Sequence, residues 1–417
     1  MNIANKIDDF VRPSKESETL LINQISLLRS NNKEEVFKFG FGQSPFPVPK
    51  QISESLAKSA YRKEYMSVQG HEPLRKAIAK LHNNLEGKNW QHENIIIGSG
   101  SKILIFSVMA AFEKAEVLLP APSWVSYEPQ AKLIGHPCHW IETSFSDRWR
   151  LTPKALDEYC KQRTDPSLPL LLVLNYPNNP TGQTFDENEI KALAKVMKKH
   201  KIIVIADEIY SLLKFDKHQY SIADYYPEGC IVSSGLSKWC GAGGWRLGFV
   251  YVPPQLGEKL FKAIIGVASE TYSCAPSPIQ VAATTAYSDE KNAKDFLAKQ
   301  IELLLRVNNF CHMALNKAGI KVHTGEGGFY LFPDFSNFKQ KLEQRNIFSS
   351  SELTATLMDE TGVALLPGSA FGMPESSLTA RLAYVDFDGS QIDKVQNPDF
   401  EQMKKGINKL CSWVSEL

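Results

Sequence analysis

Lys238 follows Ser237, and Arg246 stands eight residues further on, inside Gly243-Gly244-Trp245-Arg246-Leu247-Gly248. Before the lysine, the apolar pair Ile231-Val232 gives way to Ser233, Ser234 and Gly235; after it comes Gly241-Ala242-Gly243-Gly244. Residues without bulk let backbone approach a large, charged, planar ligand. A lysine held in such a loop can shed its proton and attack a carbonyl carbon. The arginine offers a planar fork of donors that suits a phosphate. Together they imply an aldehyde cofactor with a phosphate tail, held as a lysine imine.

Further polar groups stand where apolar runs end. Residues 170–174 lead into Asn175-Tyr176-Pro177-Asn178-Asn179-Pro180-Thr181-Gly182, residues 202–206 into Asp207-Glu208-Ile209-Tyr210, and residues 95–97 into Gly98-Ser99-Gly100-Ser101-Lys102. An ionised Asp207 beside a pyridine ring would keep the ring nitrogen protonated and make the ring an electron sink. An Asp in that position also serves simply to cap a turn. Tyr210 and Asn179 are spaced to hydrogen-bond a phenolic oxygen on such a ring. Gly100, Ser101 and Lys102 open a helix, whose free N–H groups and dipole favour a phosphate, although the P-loop pattern is absent. Asn179-Pro180 reads as a tight turn and a site for a cis peptide bond.

These loops need a scaffold. Continuous apolar runs at 95–97, 117–119 (ended by Pro120), 170–174, 202–206, 230–233 and 248–252 alternate with helical patterns such as 187–200. That pattern predicts a largely parallel sheet buried on both faces, an α/β arrangement with functional loops past the strand ends. The stretch 289–318 predicts one long helix, and the tail predicts strands at 321–323, 330–333 and 381–385 with a helix at 352–361. The first residues, punctuated by proline, are expected to fold against this α+β tail.

The ordered set Asn175-x-Pro177-x-Asn179-Pro180-Thr181-Gly182, Asp207-Glu208-x-Tyr210, Ser237-Lys238 and Gly244-Trp245-Arg246-x-Gly248 closely resembles the class I/II aminotransferases, fold-type I enzymes that use pyridoxal 5′-phosphate. Further matches extend the resemblance over nearly the whole chain: Phe39-Gly40-Phe41-Gly42 with Pro45 and Pro49, Tyr65 with Gly70 and Leu74-Arg75, Gly327-Gly328-Phe329-Tyr330, Leu366-Pro367-Gly368 with Phe371-Gly372, and Arg381-Leu382-Ala383-Tyr384. The resemblance implies a large domain (51–300) with a seven-stranded, mostly parallel sheet flanked by helices. It implies a small α+β domain from 301–417 with an N-terminal arm, 1–50.

By the same resemblance, Lys238 forms the internal aldimine and shuttles the proton between substrate Cα and cofactor C4′. Asp207 pairs with the pyridine nitrogen, and Tyr210 and Asn179 contact the 3′ oxygen. Ser237, Arg246 and the backbone of Gly100, Ser101 and Lys102 hold the phosphate, and Trp124 stacks on the ring. Arg381 binds the substrate α-carboxylate, with Gly42 close to it. Tyr65 reaches the neighbouring subunit's phosphate, which implies a homodimer with shared active sites. Two features depart from the family pattern. Gly235 stands where relatives often carry a phosphate-binding Ser or Thr, leaving Ser234 or Ser233 to substitute or the cradle to rely on backbone. Gln43-Ser44 replaces a common Glu-Pro.

The implied activity is ping-pong transfer of an amino group from an L-amino acid to a 2-oxo acid. The alternative is a C–S β-lyase or an aminocyclopropane-carboxylate-synthase-like lyase on the same scaffold. Phe41 and Phe46 near the expected entrance favour an apolar or aromatic donor, whereas Lys102, turned inward, would answer a distal carboxylate.

Composition agrees with an ordinary enzyme. The chain has 417 residues, net charge +1, and 22% charged residues, which calls for neither nucleic acid nor an anionic membrane. With only short basic clusters and no helix-turn-helix pattern, a DNA-binding regulator is disfavoured. The seven cysteines include no C-x-x-C pair, so reduced thiols in a cytoplasmic protein are expected. His136 and His139 have no carboxylate motif beside them, and no metal site is expected. No signal-peptide pattern opens the chain, and no apolar run is long enough to span a bilayer.

Overall fold

The computed structural model describes residues 11, 16–216, 220–394 and 400–417. Its centre is a seven-stranded sheet in the order β2-β8-β7-β6-β5-β3-β4. The strands are β2 (Ile95–Gly98), β3 (Glu116–Ala121), β4 (Cys138–Glu142), β5 (Leu170–Asn175), β6 (Ile203–Asp207), β7 (Cys230–Gly235) and β8 (Gly248–Tyr251). All neighbours are parallel except those of β8, which runs against both β2 and β7.

The continuous apolar runs serve two cores at once. Leu171, Val173, Ile205 and Ile231 pack on one face, while Leu172, Leu174, Val204 and Val232 pack on the other. Side chains alternate across a strand, so a run that is apolar at every position is one that is covered on both sides. Helices Ser101–Ala110 and Glu258–Thr271 cover one face; Glu72–Glu86, Glu187–Lys199 and Ser277–Ser288 cover the other. The register sets Asn175 opposite Asp207, and Asp207 opposite Ser233, so β5 and β6 finish level while β7 runs two residues further, to Gly235.

A second region rests on the long helix Glu290–Lys317. It contains the antiparallel set β11-β12-β9, from β9 (Tyr330–Leu331), β11 (Leu366–Pro367) and β12 (Ala380–Ala383). The early strand β1 (Phe37–Lys38) pairs in parallel with β10 (Val363–Ala364), which fastens the N-terminal segment to the tail as the sequence suggests. No helix among the described residues is long and apolar enough to cross a membrane.

Two local expectations fail. β3 continues through Pro120, because its pairing with β5 ends at Leu118 and the absent N–H is not needed there. The tail strands are shorter than expected: at 321 only an isolated bridge from Lys321 to Asp334 forms, and β9 stops before Pro333.

Candidate active site

A cavity of about 470 Å³ opens at the carboxyl ends of β5, β6 and β7 and is closed from the opposite side by the N-terminal segment, β9 and β12. Lys238 lies just past β7. Its Nζ donates to the carbonyl of Gly42 at 2.9 Å and sits 5.4 and 5.5 Å from the ring centres of Tyr210 and Phe329. Loss of water, reinforced by the positive charge of Arg381, lowers the amine to about 8, with Asp207 pulling the other way. A neutral, nucleophilic amine is therefore accessible near neutral pH.

Asp207 ends β6 and is buried. Burial raises its carboxyl to about 6, opposed by a hydrogen bond from Tyr127 and by the nearby Lys238. Tyr127 OH donates to Oδ2 at 2.6 Å, and the Ile209 N–H donates to Oδ1 at 3.3 Å. Tyr210 shares a 2.8 Å hydrogen bond with the hydroxyl of Tyr330. Asn179 is set by its own turn: its N–H donates to Asn175 Oδ1 at 2.6 Å, and its Oδ1 accepts from Arg381 Nη1 at 2.9 Å. The cis bonds precede Pro122 and Pro177, not Pro180, so the expectation of a cis Asn179-Pro180 is corrected.

Arg381, on β12, is 1% exposed. Nη2 donates to the Gly40 carbonyl at 2.6 Å, and the guanidinium lies between the rings of Tyr330 and Phe371 at 4.9 and 5.0 Å. Its Nε has no partner, and no carboxylate pairs with it among the described residues. Such a buried cation is costly unless an anion completes it. Gly42 lies against Tyr330, and a Cβ there would strike that ring.

The opposite end of the cavity suits a phosphate. Gly100, at φ 97°, leads into the helix Ser101–Ala110. A side chain at Gly100 would run into the Arg246 guanidinium. Arg246 itself holds a left-handed φ of 55° and donates from Nη1 to Gly243 O at 3.0 Å. Ser101, Lys102, Ser237 and Arg246 all line the cavity. Lys102 Nζ sits 5.1 Å from the Trp124 ring centre, and burial and the charge of Arg246 lower its amine. Trp124 forms the adjoining wall, edge-on to Tyr127 at 5.2 Å.

Neither substitute serine belongs to this cradle. Ser234 Oγ reaches Glu208 O at 3.4 Å, Ser233 Oγ is buried without a partner, and neither lines the cavity. Gly235 is required by packing: a Cβ there would lie 2.7 Å from Leu247 O and 2.8 Å from Gly248 Cα, on β8's side of the ladder. Tyr65 is 90% exposed and stays outside the cavity of its own chain. Phe41 lines the cavity, but Phe46 is core, 6.0 Å from Phe387, which removes half of the argument for an apolar entrance. Burial pushes the Cys240 thiol up to about 12, fitting a packing role, and His136 Nε2 hydrogen-bonds Met109 O at 3.0 Å.

Sequence reasoning did not assign roles to Tyr127, Tyr330 or the Ser17, Thr19 and Leu20 edge of helix Glu18–Asn31, all of which reach the cavity. Tyr330 ends the segment Gly327-Gly328-Phe329-Tyr330 and Tyr127 follows Trp124 by three residues; only tertiary packing shows what their hydroxyls touch.

A family model described as aminotransferase class I and II matches residues 34–393. The chain is 28% identical to the asparagine–oxo-acid transaminase of Streptococcus mutans over 99% of its own length and 100% of that protein. It is 28% identical to the aspartate aminotransferase of Bacillus subtilis, covering 90% of this chain and 92% of the other. In three dimensions it is similar to the aspartate aminotransferase from Thermus thermophilus solved with maleate, with a TM-score of 0.83 at 22% identity over 95% and 97% of the two chains. The aromatic aminotransferase from Pyrococcus horikoshii gives a TM-score of 0.80 at 26% identity, over 94% and 99%.

Proposed function

The chain belongs to the class I and II aminotransferases, and from that premise we propose that it holds pyridoxal 5′-phosphate on Lys238 and moves the α-amino group of an L-amino acid to a 2-oxo acid in two ping-pong half-reactions. The observation that carries this reading is a cavity in which Lys238, Lys102, Arg246 and Arg381 converge with a single carboxylate, Asp207. None of the four cations is ion-paired among the described residues. That donor set fits a phosphorylated aldehyde and an α-carboxylate together.

When bound, pyridoxal phosphate supplies an aldehyde for the substrate amine and a ring that accepts the electron pair left at Cα. Lys238 Nζ would hold that aldehyde at rest; once displaced, it takes the Cα proton as base and returns a proton as acid. Asp207, kept in place by Tyr127, would face the ring nitrogen and stabilise its proton. Asn179 and Tyr210 would meet the ring's oxygen. Trp124 would cover the ring. Ser101, Ser237, Arg246 and the helix N-terminus would take the phosphate, with Lys102 adding a positive charge where Gly235 supplies no hydroxyl. Arg381 would orient the substrate by its α-carboxylate. Tyr65, exposed on this chain, would complete the phosphate site of a second subunit in a homodimer.

For the donor we favour aspartate or asparagine over an aromatic amino acid. Phe46 is withdrawn into the core, and relatives named for these donors match nearly the whole chain. A donor-by-acceptor screen following the cofactor's absorbance tests this; faster half-reactions with phenylalanine than with either would contradict it. Product analysis tests transamination itself. An amino acid formed from the acceptor oxo acid is expected, and release of pyruvate, ammonia and thiol instead would establish the lyase.

A further inference from the structure

The carboxylate next in sequence to Asp207 has no part in the chemistry above. Asp207 looks into the cavity, whereas Glu208, 1% exposed, turns to the opposite side of the sheet. Glu208 Oε1 accepts from Tyr176 OH at 2.8 Å and from Ser221 Oγ. Tyr176 OH accepts in turn from the Ile222 N–H at 3.0 Å. The backbone is tied as well: Glu208 N–H donates to Ser233 O at 2.9 Å, and Glu208 O accepts from the Ser211 N–H at 2.9 Å.

Countercharge comes from Lys88, whose side chain is 2% exposed and whose Nζ donates to Asp224 Oδ1 at 2.8 Å. Attraction from Glu208, Glu86 and Asp224 outweighs burial and keeps Lys88 protonated. Glu86 itself is paired with His82. Burial raises the Glu208 carboxyl to about 7, with Lys88 opposing. The turn that carries Asp207 and Tyr210 is thus anchored, from behind, to the start of the loop after β5 and to the helix Ile222–Tyr225.

We propose that Glu208, seated on Tyr176 and Ser221 beside the Lys88 ammonium, is a positioning residue that holds the 207–211 turn so that Asp207 and Tyr210 meet in the cavity. This rests on the cofactor reading, which gives those two residues their roles, so the test has one arm with cofactor and one without.

The full chain is compared with Glu208→Ala, Glu208→Gln and Tyr176→Phe. Without cofactor, Glu208→Ala is expected to speed amide hydrogen exchange about tenfold within 207–213 while the other strands keep their protection. Glu208→Gln retains an Oε1 acceptor and is expected to lose much less. With pyridoxal phosphate bound, Glu208→Ala is expected to shift the pH midpoint of the cofactor's visible absorbance by about half a unit or more. It should also lower kcat about tenfold with KM within about twofold, since Arg381 sits on another strand. Glu208→Gln should recover most of both changes.

A folded Glu208→Ala variant with unchanged exchange, titration and kcat overturns the proposal. So does a loss of protection spread over the whole sheet without a titration shift, or a loss that Glu208→Gln does not recover. If Glu208→Ala does not fold, Tyr176→Phe decides: a smaller change in the same direction supports the proposal, and no change overturns it. Failure of the unsubstituted protein to bind pyridoxal phosphate would sink the cofactor reading alone, because the exchange arm still reports on the turn.

Discussion

Asp207 and Glu208 are chain neighbours that look onto opposite arrangements of charge. On the cavity side, four cations share the space with one carboxylate, and none of them is ion-paired among the described residues. On the far side, Lys88 meets Asp224, His82 meets Glu86, and Glu208 accepts two hydroxyls. Desolvation acts on both groups of side chains. Only the second group contains ion pairs of its own. Unpaired charge is costly inside a protein, and in the proposed reading the cofactor and substrate supply the missing anions. The paired cluster gives the scaffold its geometry; the unpaired one gives the site its chemistry.

Substitutions separate the two regions. The largest effect on turnover is expected from Lys238→Ala, which removes the proposed nucleophile and the proposed base together: the half-reaction rate should fall at least about a thousandfold, with melting temperature little changed. A stopped-flow trace with near-normal rates would erase the distinction. Arg381→Ala should raise KM and lower kcat/KM by about a hundredfold for amino and oxo acids alike, leaving cofactor binding intact. Lys88→Met should do the reverse, costing about 3 kcal/mol of stability in denaturant titrations by stranding buried carboxylates, with a smaller loss of turnover. Tyr127→Phe, which removes one hydrogen bond to Asp207, should lower kcat about tenfold. Lys262→Ala, at the exposed Lys262–Glu258 pair, should leave both melting temperature and kinetics where they were.

The pH dependence has a definite sign. The reactive form of Lys238 is the neutral amine, and its value is lowered to about 8. Capture of pyridoxal phosphate by cofactor-free protein should therefore quicken as pH rises through about 8 and level off above it. An amine left at its ordinary value would keep quickening well beyond pH 9.

Much of this site was legible in the sequence because its key residues follow strand ends at fixed offsets. A strand read as a continuous apolar run predicts where its loop begins, and Asp207, Lys238 and Asn179 each stand just beyond such a run. Six of the seven strands emerge in the same way; β4 does not, and the count of seven, like the family membership, comes from the resemblance carried by the ordered motifs. What escaped depends on contacts between distant segments. The hydroxyl of Tyr127 on Asp207, that of Tyr330 on Tyr210, and the pairing of Lys88 behind Glu208 leave no periodic trace in the chain. Gly235 shows the difference well. As a letter it is an absent phosphate ligand; in the fold it is the residue that lets β7 and β8 approach, and a side chain would collide with Leu247 O. The misplaced cis bond has a similar source, since Tyr176-Pro177 and Asn179-Pro180 are both plausible X-Pro turns and packing selects between them.

Lys238 is the residue proposed to take the cofactor. Borohydride reduction of the purified protein with pyridoxal phosphate, followed by peptide mass spectrometry, tests it most directly. One reduced pyridoxyl phosphate per chain, on the peptide and at the side chain of Lys238, is the expected result. An unmodified Lys238, with the label on another lysine or on none, would contradict the claim.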